Sequence, residues 1–96
     1  MSLEKIKSAL RIDDNSMDED IQDTIAACKL DLVLSGVSEE KTESEDPLIL
    51  RAVKAFSKSE FSSDDKESQR YREAYESLKI HLCLSVDYNG GGQIDN

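Results

Sequence analysis

The stretch Asp46–Phe61, DPLILRAVKAFSKSEF, leaves the fewest choices open to this chain. Asp46 suits a helix N-cap, and Pro47 at the first helical position loses nothing by its missing N–H and fixed φ. Leu48, Ile49, Ala52, Val53 and Phe56 then recur at three- and four-residue spacing, which makes one apolar stripe. Arg51, Lys54 and Lys58 fall away from the centre of that stripe and give the helix a basic outer side. A central helix over 47 to 61 is therefore expected, with an acidic helical half before it and one long helix after it.

Leu3, Ile6 and Leu10 share one face of a short amphipathic helix over residues 3 to 10. Asp13 to Met17 is polar, and Ser16 with Glu19 predicts a capping box at the start of a second helix over 17 to 35. Its stripe is Ile21, Ile25, Cys28 and Leu32. Leu30, Val33, Leu34 and Val37 widen the apolar surface toward its end, which predicts two packing partners there. Gly36 is placed to end the helix in a left-handed residue, with Val37 folding back on Leu32. The next nine residues, Ser38 to Asp46, hold five acids, one lysine and no apolar side chain, so a solvated loop is expected. Asp64 and Glu67 cap a last helix over 65 to 85, striped by Tyr71, Tyr75, Leu78 and Leu82. Ile80, Cys83 and Leu84 add apolar surface near its end, which predicts enclosure there too. Val86 to Asn96 contains Gly90, Gly91 and Gly92 and few anchors beyond Tyr88 and Ile94, so it is expected as a flexible C-terminal tail. The fold class is all-α, a small four-helix domain over residues 1 to 85 followed by the tail.

Ninety-six residues fit one domain that buries only about two-thirds of the surface its unfolded chain exposes, so stability leans on a partner. Residues 1 to 46 carry 5 basic and 13 acidic side chains, whereas residues 47 to 96 carry 7 and 8, for a formal charge of -9 overall. Such a chain repels nucleic-acid phosphates and is a poor candidate for an ordinary DNA-binding protein. No apolar run approaches the length that spans a bilayer, and Cys28 and Cys83 show no CxxC spacing, so a soluble intracellular protein with reduced thiols is expected.

Chemistry-bearing patterns are few. Asp87 to Asp95 resembles the first nine positions of a calcium loop, with Asp87, Asn89 and Asp95 at ligand positions and Gly92 at the glycine position. Position five is Gly91, however, and the bidentate acid at position twelve is lacking. His81, the single histidine, has no nucleophile or paired acid at a supporting spacing. Asp18, Asp20, Asp23 and Asp31 spread around their helix instead of converging on a metal. No catalytic residue, metal or cofactor is therefore assigned. The basic Arg51, Lys54 and Lys58 find their most useful partner in the chain's own acidic half. Between subunits that pairing specifies a head-to-tail contact in which they meet Asp20, Asp23 or the Glu39 to Glu45 segment, with Glu39 and Glu40 foremost.

The run Leu10-Arg11-Ile12-Asp13, followed by Asp20-Ile21, Ile25-Ala26-Ala27 and Gly36-Val37, resembles the N-terminal half of the head-tail connector (adaptor) proteins of tailed bacteriophages and prophages. Asp46-Pro47-Leu48-Ile49, Arg51-Ala52-Val53, Phe61, Tyr71, Tyr75, Leu78, Leu82 and Tyr88 resemble that family's central and last helices. The resemblance implies a non-enzymatic structural protein of DNA packaging and virion assembly. It would form a homo-oligomeric ring beneath the phage portal protein, extend the DNA channel without specific DNA binding, and dock a neck or tail-completion protein. Its place would be the virion neck, reached from the bacterial cytoplasm during assembly, with no membrane involved. The alternative from charge is an acidic phage protein that mimics DNA and binds a host or phage DNA-binding protein.

Overall fold

The computed structural model describes residues 3–91. Among them are five helices and no strand: α1 (Leu3–Leu10), α2 (Asp18–Ser35), α3 (Glu39–Glu43), α4 (Pro47–Phe61) and α5 (Asp65–Leu84). Four of these are the helices expected from the sequence, and α3 stands within the segment expected as a loop.

Helix α4 is the hub, packing against α1, α2 and α5. Its start follows from residue chemistry: the Asp46 carboxylate accepts the N–H groups of Leu48 at 2.9 Å and Ile49 at 3.3 Å, two donors the first turn leaves unpaired. Its inner stripe, Ile49, Ala52 and Val53, is fully buried. Around it close Ile6 of α1, the α2 stripe Ile21, Ile25, Cys28 and Leu32, and Tyr75 and Leu82 of α5. Each large aliphatic side chain so buried contributes about 1.5–3 kcal/mol relative to exposure. The Phe56 ring meets Tyr75 edge-on, with centroids 5.0 Å apart.

Helix α2 starts without the expected capping box. Its N-cap is Met17, with no side-chain cap bond, because the Ser16 hydroxyl and amide both go to the Asp14 carboxylate. That local turn competes with capping and wins. Asp18 instead takes Lys7 Nζ at 2.8 Å, joining α1 to α2. The end of α2 is as expected: Gly36 has φ +119°, its N–H donates to the Val33 carbonyl, and the Val37 N–H reaches back to Leu32. An added Cβ at Gly36 would sit 3.4 Å from Cys83 Cβ, so the cost of Gly36→Ala is mainly backbone strain. This substitution is expected to destabilise by about 1–2 kcal/mol, a fall in Tm of several degrees in a thermal melt.

The Ser38–Asp46 segment corrects the loop expectation. Ser38 accepts the Lys41 N–H with its hydroxyl, and its carbonyl accepts the hydroxyl of fully buried Thr42. The turn is tied to α2 by Lys29 and Glu43 at 2.6 Å. Beyond α5, Tyr88 anchors the described part of the C-terminal segment. Its carbonyl accepts the Ser38 N–H at 2.7 Å, its hydroxyl donates to Asp46 at 2.9 Å, and Lys41 Nζ lies 4.9 Å from its ring centre. The rest of the expected tail, residues 92–96, lies outside the described residues, as do Gly92, Ile94 and Asp95 of the calcium-like pattern.

Candidate interaction surface

Pro47, Arg51, Lys54 and Lys58 recur every three or four residues, so helix geometry lines them up on the outer side of α4. There they form one wall of a groove of about 530 Å³ between α4 and α5, whose floor includes Leu50, Ala55 and Ala74. Lys58 lies over the Tyr71 ring at 5.2 Å, whereas Arg51 and Lys54 make no ion pair among the described residues. The structure therefore brings the three predicted basic residues to one groove, with two of the charges unpaired among the described residues.

The predicted acidic residues lie elsewhere. Asp20 and Asp23 are exposed on the N-terminal half of α2, and Glu39 and Glu40 are exposed on the first turn of α3. None of the four makes an ion pair among the described residues. Glu39 and Glu43 border a shallow groove of about 240 Å³ whose other wall is Ala26, Leu30 and Val33 of α2. Glu39 and Glu43 thus flank an apolar strip.

The strip corrects a second expectation. Leu30 and Leu34 are 59% and 77% exposed, and Ile80 and Leu84 are 55% and 75% exposed, so the C-terminal ends of α2 and α5 are not enclosed on their outer sides. Of the residues that widen the α2 stripe, Val37 alone is fully buried. The two exposed pairs sit on neighbouring helix ends, because Gly36 lies against Cys83 and Asp31 bridges to α5.

That bridge is a half-buried polar cluster joining α2 and α5. Tyr75 Oη donates to Asp31 Oδ2 at 2.6 Å, and Lys79 Nζ donates to the same oxygen at 3.0 Å. Burial raises the Asp31 pKa, but the Tyr75 and Lys79 bonds outweigh it and hold the carboxyl below its ordinary range. Burial, then the bond to Asp31, pushes the Tyr75 hydroxyl well above its usual value. Burial likewise pushes the Cys28 thiol up to about 12, so it stays protonated and unreactive at neutral pH. Both cysteines are free, Cys28 buried and Cys83 half-buried. His81 is exposed on α5, and among the described residues no group of three or more His, Cys, Asp or Glu is placed to hold a metal ion. No described helix is long and apolar enough to cross a membrane.

A helical hub with charged and apolar patches on its outside presents surfaces suited to contact with other molecules. The sequence profile of the phage connector proteins matches residues 2–89. This chain belongs to that family, and its role is of the phage connector type, structural in kind. No curated protein and no solved structure matches it.

Proposed function

We propose that the chain is the subunit of a homo-oligomeric head-tail connector. Copies join head to tail into a ring beneath the portal, the ring prolongs the DNA channel, and its far side receives the next neck or tail component. The observation that carries this reading is the pair Arg51 and Lys54, standing on a groove wall without an ion pair among the described residues, while Asp20, Asp23, Glu39 and Glu40 stand exposed elsewhere on the same chain. Two different patches that complement one another join heterologously, and such contacts close into a ring when the rotation fits. The formal charge of -9 suits a channel wall that repels phosphates, along which DNA slides instead of sticking.

Reversing both charges, Arg51→Glu with Lys54→Glu, is expected to raise the concentration for half-assembly roughly 10- to 100-fold, since it removes two pairs and adds like-charge repulsion. Light scattering across concentration and salt, with negative-stain imaging of large species, reads this directly. Assembly unchanged by the reversal would sink the proposed contact. A wild type that neither assembles alone nor binds portal rings, and instead captures a DNA-binding enzyme, would favour DNA mimicry over the connector.

A further inference from the structure

The outer face of α2 carries a single stripe that no described element covers. Asp20, Asp23, Ala27, Leu30 and Leu34 are all exposed and follow one another at spacings of three, four, three and four. This is the spacing of a helix seam that packs against another helix. The stripe is polarised, acidic at its N-terminal half and apolar at its C-terminal half. The wall of the α4 groove has the opposite polarity, with Pro47 and Leu50 toward its start and Arg51, Lys54 and Lys58 toward its end.

Deepening the self-assembly proposed above, and resting on it, we infer that the outer stripe of α2 in one copy lies antiparallel in the α4–α5 groove of a second copy. The two spacings match residue for residue. Read backwards, Leu34, Leu30, Ala27 and Asp23 step by four, three and four, and Pro47, Arg51, Lys54 and Lys58 step forwards by the same intervals. Both series span about 16 Å at 1.5 Å per residue. In this register Leu34 meets Pro47 and Leu50, Asp23 meets Lys58, and Arg51 comes opposite Leu30, beside which Glu39 and Glu43 form the acidic rim. Antiparallel docking therefore sets apolar Leu34 against Pro47 and Leu50 and acidic Asp23 against Lys58, with Arg51 and Lys54 opposite Leu30 and Ala27, whereas parallel docking sets Leu34 against Lys58 and Asp23 against Pro47. The second copy is the occupant these complementary charges select. Ile80 and Leu84, on the neighbouring helix end, extend the apolar contact.

The experiment is complementation between two surface variants of the full chain. Leu30→Lys with Leu34→Lys spoils the stripe and leaves the groove intact; Lys54→Glu with Ala74→Glu spoils the groove and leaves the stripe intact. All four positions lie outside the buried core, and circular dichroism checks the helical fold of each variant. Each variant alone is expected to be monomeric by light scattering, and an equimolar mixture to give a 1:1 heterodimer that grows no further, because one good junction remains. A charge swap reads the orientation. Lys58→Glu alone weakens assembly at least tenfold, and adding Asp23→Lys restores it to within about threefold of wild type. The inference is overturned if a variant assembles like wild type, if the mixture stays monomeric, or if the swap restores nothing. A wild type that is monomeric up to roughly 1 mM overturns it as well, and the connector reading is then decided separately by binding to portal rings.

Discussion

Replacing Tyr75 with alanine is expected to cost about 3–5 kcal/mol, which is a large part of the 5–15 kcal/mol that holds a typical domain folded. Tyr75 is fully buried and ranks first among the buried side chains by volume. Its removal leaves a cavity between α4 and α5, strips Phe56 of its edge-on partner, and takes the hydroxyl from Asp31. Tyr75→Phe separates these effects. It keeps the ring and removes the hydroxyl's bond to Asp31, which retains Lys79 and is partly reached by water, so its cost is about 1 kcal/mol. Urea unfolding followed by circular dichroism reads both. Equal losses in the two variants would mean that the polar bridge, and not packing, joins the helices.

The second large effect is expected at Asp46, where one carboxylate serves two structures. It caps α4 through Leu48 and Ile49 and accepts the Tyr88 hydroxyl that holds the C-terminal segment. Asp46→Ala therefore removes a cap worth about 1 kcal/mol together with a charge-assisted bond worth about 1.5–3 kcal/mol when shielded, for an expected loss of about 2.5–4 kcal/mol. The pH dependence has a definite sign. Burial raises the Asp46 pKa, but Tyr88 and the two backbone N–H groups together hold it below its ordinary value. A carboxylate depressed in this way stabilises the fold fully above its unfolded pKa, near about 4, and loses that contribution as pH falls through its lower folded value. The stability gap between wild type and Asp46→Asn should accordingly narrow below about pH 4. A gap that stayed constant through that range would show that the charge is not what matters at this position.

What could be read from the sequence, and what could not, divides by physical cause. The α4 boundaries were legible because Asp46, Pro47 and the apolar spacing all point the same way. The inner stripe of α2 was legible for the same reason, and so was Gly36, whose left-handed conformation few other residues adopt cheaply. The capping box at Ser16 failed because sequence spacing does not reveal that Asp14, two residues earlier, competes for the same hydroxyl. Helix α3 was missed because Ser38 to Asp46 has no apolar side chain. Its signal was nevertheless present in Ser38 followed by Glu39 and Glu40, the N-cap and acidic first turn that were accepted at Asp64. The basic groove was half legible: the three- and four-residue spacing placed Arg51, Lys54 and Lys58 on one side, but the α5 residues that complete it depend on how two helices pack. Apolar residues are usually enclosed, which is why the sequence predicts enclosure for Leu30, Leu34, Ile80 and Leu84. Only the packed arrangement shows that each of them stays more than half exposed.

The Tyr88 anchor also bears on how the protein is made. Tyr88 lies 42 positions after Asp46, so the corner formed by Ser38, Asp46 and the first turn of the central helix waits until the residues just past α5 have left the ribosome. A message cut short just behind α5 would encode every helix in full. Its product would still lack the clasp at the start of the central one, so an early stop that spares all the helical segments would strike the middle of the chain.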